Sequence, residues 1–379
     1  QYRELYYASN VNDRNENGRT KSGLYGCFIP AYDALEGFFD KYGTPVIDDP
    51  KNSIIGLDGE YINLGAKTYL KNERKGLSGD SYELNEVIRQ FPFTEAEAFR
   101  DSAKASLFNV QKIYEQVEYN EDLFPNPVVV GNFVWSLGQK DTEVVFSPDP
   151  NGRWRVAWMP PVELRNKKKP ENAWLGCAGV DSYDIDATVD GRGSKGACHF
   201  FNKFNLEYPS NMFVAEYASR PPLAKIFYED ILMASKFYGY PVLIENNKYG
   251  IARHFESRGY DHFLLDRPAH LTSNYGSKTK TKGIPSNSQD VIQAHAQAIE
   301  SFIHANVGLN EQTLEYGKMY FERTLEDWVN FKIDDRTKYD LSISSGLALL
   351  AAQGHRPEKP KSDFNSKQFF RKGQIIIRK

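Results

Sequence analysis

From residue 172 onward, short continuous apolar runs alternate with longer stretches whose apolar positions recur every three or four residues. The first pattern predicts buried strands and the second predicts helices. Residues 174–180 form the first such run, which ends at Asp181. Residues 196–201 and 212–217 follow as second and third strands, and Pro221 opens a helix to about Tyr238. A fourth strand, 241–244, ends at Glu245 and leads into a helix through Arg253 to about Arg258. Residues 262–265 read as a fifth strand. Residues 288–306 and 312–330 read as amphipathic helices, and a last helix begins near Asp340.

The pattern before residue 172 is less regular. Residues 24–29 read as a buried strand, and 33–42 as a short helix stopped by Gly43 and Pro45. Helices are expected over 66–75, 81–90, 94–101 and about 107–119; Thr94 with Glu97 makes a capping box for the third. Beyond Phe124-Pro-Asn-Pro127 the pattern turns to strands, 128–135, 142–146 and 154–158, the last two joined by the turn Asp149-Pro-Asn-Gly152. Lys167, Lys168, Lys169 and Pro170 then make a polar linker. These changes divide the chain into 1–105, the end of a preceding domain with a linker; 106–170, a helix with a β extension; 171–354, the α/β region; and 355–379, a basic tail. Three strands, helix, strand, helix, strand, helix is the order of a ribonuclease-H-like fold. The expected fold class is therefore α/β, a mixed sheet flanked by helices.

Chemistry enters through three acids placed by this pattern. Asp181 and Glu245 each follow a buried apolar run, and Asp340 opens a helix rich in small residues: Ser342, Ser344, Ser345, Gly346 and Ala348. A carboxylate at the C-terminal end of a buried strand points into the crevice where open α/β sheets place their sites. Taken singly, Asp181 is as readily a turn former and Asp340 a helix cap. Taken together, the three are the oxygen ligands that a pair of Mg²⁺ or Mn²⁺ ions needs, and such a pair stabilises the attacking and leaving oxygens of a phosphodiester cut. Asp184 and Asp186 are candidates to help hold the second ion. Asp334 and Asp335 are alternatives to Asp340, and Asn246 and Asn247 could orient the ligands from behind. Arg192 and Lys195 flank a glycine-rich turn. Lys278, Lys280 and Lys282 lie in a Lys/Thr/Gly loop, and these five are the expected contacts to a phosphate backbone.

Composition narrows the picture without redirecting it. The net charge of −3 does not advertise nucleic acid, so any such surface must be local. No apolar run is long enough to span a membrane, and no secretory signal opens the chain. Cys177 and Cys198 lie in apolar runs and, with Cys27, lack metal-type spacing, which fits free thiols in a reducing compartment. There is no Gly-x-x-x-x-Gly-Lys-Ser/Thr loop, so no ATP hydrolysis is expected from these residues. The histidines form no recognisable triad with serine or cysteine and read as structural or surface groups.

In combination, Gly179-Val-Asp181, Glu245-Asn-Asn-Lys-Tyr-Gly250 and Tyr339-Asp340 with its small-residue helix resemble the nuclease half of the large terminase subunit of tailed bacteriophages. Phe91-Pro-Phe-Thr-Glu-Ala-Glu-Ala-Phe99 looks like the segment that follows the ATPase domain in that family. Leu24-Tyr-Gly-Cys-Phe-Ile-Pro-Ala-Tyr32 looks like the end of that domain, so the resemblance covers most of residues 20–353. It implies a metal-dependent endonuclease cutting double-stranded viral DNA during genome packaging, with Asp181, Glu245 and Asp340 as its ligands. It also implies the portal and small terminase subunit as partners of the intact protein, and the cytoplasm of an infected bacterial cell as its location, with no secretion. Two alternatives stay open: another ribonuclease-H-like nuclease of junction-resolvase or transposase type, and a non-catalytic module that grips DNA within a packaging motor.

Overall fold

The computed structural model describes residues 2–77, 81–99, 107–184, 195–246, 249–268, 282–285, 289–310, 312–333 and 336–354. Two compact units emerge: Gln1–Tyr114 with Val329–Lys332, and Glu115–Trp328 with Ile333–Lys379.

The first unit contains α1 (Tyr2–Tyr7), the antiparallel pair β1 (Ile54–Ile55) and β2 (Tyr61–Ile62), and the helices α2 (Ala66–Gly76), α3 (Ser81–Gln90) and α4 (Glu95–Ala98). The capping at Thr94 is present: its hydroxyl accepts from the Glu97 amide at 3.2 Å. The Glu97 carboxylate is held by both ends of the Arg74 guanidinium, at 2.9 and 2.8 Å. Two expectations fail here. Residues 24–29 form no strand: Leu24, Tyr25 and Ile29 are exposed, and the Gly26 amide goes to the Ser9 carbonyl rather than into a ladder. Residues 33–42 form no helix beyond the end of a 3₁₀ turn, Ala31–Asp33, and Phe39 and Asp40 make antiparallel bridges to Pro45 and Gly56. Gly37 and Gly43 take positive φ, and the Asp40 carboxylate accepts from the amides of Tyr42 and Thr44, so side-chain and glycine turns displace the helix.

The second unit is built on one sheet. Helix α5 (Val110–Glu121) spans the division between units. Then come β3 (Val129–Trp135), β4 (Val144–Pro148), β5 (Trp154–Val156), β6 (Gly176–Asp181), β7 (Gly196–Asn202), β8 (Met212–Ser219), α6 (Ala224–Tyr238), β9 (Val242–Ile244), α7 (Gly250–Ser257), α8 (Gln289–Asn306), the hairpin β10 (Leu309–Asn310) and β11 (Glu315–Tyr316), α9 (Glu322–Asn330) and α10 (Asp340–Gln353). The seven strands run in the order β4-β3-β5-β8-β7-β6-β9. All neighbours are antiparallel except β6 and β9, which are parallel. Three antiparallel strands followed by a parallel fourth beside the first is the ribonuclease-H-like arrangement, as expected. The strands that the sequence sets apart as an extension, β3 to β5, enter the same sheet through β5 and β8.

Side-chain alternation gives the sheet two faces. One packs Trp154, Phe200 and Tyr217 against Phe227, Phe237 and Tyr238 of α6. The other is covered by α10. Every residue of that helix from Ser342 to Ala352 is buried. Its close approach depends on Gly179: a Cβ there would lie 2.1 Å from the Ala348 amide nitrogen and 2.3 Å from the Ser344 carbonyl oxygen.

Two further expectations need correction. Residues 262–265 are not a strand but a 3₁₀ turn, Asp261–Phe263, and among the described residues the sheet continues past β9 by single parallel bridges, Leu264 to Val242 and Ile284 to Glu245. The helix expected over 312–330 is a hairpin followed by the shorter α9. The Asn310 side chain accepts from the amides of Gln312 and Thr313, and Leu314 takes φ +57°, which turns the chain back. Asp186, Arg192, Asn247, Lys278, Lys280, Asp334, Asp335 and the tail 355–379 lie outside the described residues. Among the described residues no helix is long and apolar enough to cross a membrane.

Candidate active site

Asp181 closes β6, and the parallel register Val180 with Ile244 sets Glu245 directly beside it, about 4.8 Å away across the sheet. The Glu245 amide donates to the Val180 carbonyl at 3.2 Å, which locks that register. Cys177 donates its thiol hydrogen to the Ala348 carbonyl at 3.3 Å, so odd positions of β6 face α10. Alternation then puts Asp181, and Glu245 beside it, on the same face. Both are buried.

Asp340 arrives from α10. Its Oδ2 accepts the Lys195 amide at 2.8 Å, one residue before β7 begins. Ala197 of β7 pairs with Asp181, so the Asp340 carboxylate is tied to the same end of the sheet. The first turn of this helix is also held by Asp327 of α9, whose Oδ2 accepts from both the amide and the hydroxyl of Ser342 at 2.7 Å. Burial raises the Asp327 carboxyl to about 6, against the pull of the Ser342 bonds and with help from the Asp340 charge.

Carboxylate oxygens are the donors that a hard divalent cation prefers. Their side chains do not close on one point: among the described residues no group of three acids, histidines or cysteines is arranged to hold a metal. Glu245 also has a cationic neighbour, Arg336, whose Nη2 is 3.6 Å from its Oε1 with both side chains largely buried.

No protein-family model and no curated protein sequence matches this chain. Among solved structures it is similar to the large terminase nuclease from thermophilic phage G20c, with a TM-score of 0.32 and 9% identity over 59% of this chain and 92% of that one. The strand order, not this similarity, defines the fold.

The other expected site residues that are described have these surroundings. The exposed Asp184 carboxylate accepts from the Tyr228 hydroxyl at 2.8 Å and from the Gly250 amide at 3.2 Å. Lys282 donates to the Leu264 carbonyl at 2.9 Å and pairs with Asp266 at 3.0 Å, so its charge is engaged within the fold. Lys195 is exposed, and Asn246 donates its amide to the Ile284 carbonyl at 3.0 Å.

An open groove of about 670 Å³ lies beside Asp184, lined also by Lys225, Tyr228, Tyr249, Arg253 and His254. No motif in the chain signals it, because its walls come from separate helices. Lys225 and Arg253 are exposed and make no ion pair among the described residues, and Tyr249 is half exposed. His254 is held by Glu229 at 2.8 Å.

Proposed function

We propose that this protein is a metal-dependent endonuclease that hydrolyses phosphodiester bonds of double-stranded DNA. The reading is supported by the placement of Asp181 and Glu245 at the ends of adjacent parallel strands, on the face covered by the helix that Asp340 opens. Asp181, Glu245 and Asp340 would hold the two ions. Bound Mg²⁺ or Mn²⁺ would supply Lewis-acid stabilisation of the attacking and leaving oxygens. The protein's own contribution is to hold three carboxylates on rigid elements, and to offer Lys225, Arg253 and Tyr249 to the phosphates and sugars of a strand in the groove beside Asp184. The resemblance of the acidic segments to the large terminase family makes viral DNA during packaging the substrate proposed, with the portal and small terminase subunit as partners.

Plasmid cleavage with Mg²⁺, Mn²⁺ or chelator, on the wild type and Asp181→Asn, tests the reading. The variant should lose activity by more than about 100-fold, since even the partners of metal ligands are worth about 10–100-fold. Wild-type rates retained by Asp181→Asn would end it. A second reading, a DNA-gripping module without catalysis, is favoured by one observation: Arg336 already neutralises Glu245. In that case Mn²⁺ would not raise the melting temperature, whereas an ion bound only by the native state must do so.

A further inference from the structure

Behind Asp340 runs a line of four buried polar side chains from four different elements. Glu216 is on β8, Thr324 on α9, His199 on β7 and Ser344 on α10, and none is more than 1% exposed. Thr324 Oγ1 lies 2.6 Å from Glu216 Oε2, and His199 Nε2 lies 2.7 Å from the same hydroxyl. On its other side, His199 Nδ1 is 2.9 Å from Ser344 Oγ. Ser344 Oγ is 3.0 Å from the backbone carbonyl of Asp340, with the Leu341 carbonyl at 3.2 Å. Buried polar groups without use are costly, and an apolar sheet–helix interface would have served packing alone.

Proton counting makes the line informative. There are four links to make: Glu216 to Thr324, Thr324 to His199, His199 to Ser344, and Ser344 to the Asp340 carbonyl. A neutral imidazole and two hydroxyls carry one proton each, three in all. Burial holds the His199 imidazolium down at about 3, so the ring is neutral at working pH. With Glu216 ionised, Thr324 donates to Glu216, His199 donates from Nε2, Ser344 donates to Nδ1, and the Asp340 carbonyl receives nothing from Ser344. With a proton on Glu216 every donor reverses: Glu216 to Thr324, Thr324 to Nε2, Nδ1 to Ser344, and Ser344 to the Asp340 carbonyl.

Groups around Glu216 pull both ways. Arg155, its cross-strand neighbour on β5, and Arg323 on α9 favour the carboxylate, while burial opposes it and prevails, raising the carboxyl. Its Oε1 has no hydrogen-bond partner among the described residues, which also disfavours charge there. Asp327 on α9 adds negative potential. His295 on α8, also neutral through burial, holds the Ile343 carbonyl at 3.0 Å and braces the far side of the same turn.

We infer that Glu216, Thr324, His199 and Ser344 form a positioning relay, in which one proton on Glu216 selects the His199 tautomer and decides whether Ser344 grips the turn that presents Asp340. The link to ion binding rests on the nuclease reading above; the relay itself does not.

Nitrogen-detected NMR of ¹⁵N-histidine-labelled protein, with His199 assigned by its Asn variant, reads the tautomer without metal or DNA. Glu216→Gln, whose amide can donate to Thr324, should hold Nδ1–H at every pH, while the wild type should convert to Nε2–H as pH rises. Thr324→Val should uncouple the tautomer from pH, and Thr324→Ser should restore the coupling. Melting with Mn²⁺ then tests the link to Asp340: Thr324→Val should move the half-point by threefold or more, and Thr324→Ser should not. A tautomer identical in the wild type and Glu216→Gln across pH overturns the relay. A normal tautomer switch with no Mn²⁺ effect on wild-type melting sinks the nuclease reading instead, and a Thr324→Val half-point equal to wild type removes Asp340 from the relay's reach.

Discussion

At the scale of single residues, small size and single charges decide the geometry. Gly179 is where the backbone of α10 touches β6, and the atoms a methyl group would strike belong to main chain that cannot rotate away. Gly179→Ala should therefore destabilise by about 3 kcal/mol, the upper end of overpacking costs, seen as a fall in thermal midpoint. Arg336 presents the opposite lever. Its guanidinium offsets the Glu245 carboxylate, so Arg336→Gln should lower the Mn²⁺ concentration that half-completes the thermal shift; an unchanged half-point would mean that the two charges do not compete. The three acids were legible because each ends or opens an apolar segment. Arg336, Thr324 and Glu216 were not, because nothing in a one-dimensional pattern says that a polar residue on one element will meet a buried partner far along the chain.

At the scale of elements, long periodic segments declared themselves and short ones did not. Strands β6 to β9 and helices α6, α8 and α10 follow from apolar spacing, since their burial demands it. The failures at 33–42 and 312–320 share a cause: local side-chain turns and positive-φ positions outweighed weak periodicity. Helix α6 shows how elements are tied together. Glu229 accepts from the Trp135 indole of β3 at 2.8 Å, from His254 of α7, and from Arg258 just beyond it. Burial alone would raise the Glu229 carboxyl, but these three partners outweigh it and bring it to about 2, from an ordinary 4.5. A carboxyl depressed on folding adds stability above its unfolded value and loses it as pH falls. This contribution is present above pH 4.5 and disappears toward pH 2. In Glu229→Gln, denaturant melts between those limits should lose about 1–2 kcal/mol of pH dependence, a figure reduced for partial solvent access.

At the scale of the whole molecule, the net charge of −3 concealed a local cationic surface. Lys225 and Arg253 come from two helices, α6 and α7, and only the fold brings them to one groove. Replacing both with glutamate should weaken duplex binding across all sequences. It should also reduce the slope of log affinity against log salt by about 2, near 0.9 for each phosphate left without its cation. Filter-binding or anisotropy titrations at several salt concentrations would measure it, and an unaltered slope would place the DNA elsewhere. The two interior thiols bracket the sheet. Cys177 lies beneath α10, while Cys198 sits in the opposite layer against α6. Each is sealed until its own covering helix lifts, so the rates at which a thiol-specific reagent modifies the two sulfurs clock the breathing of either side separately. The chain thus carries a pair of native reporters, one of them under the helix that delivers Asp340.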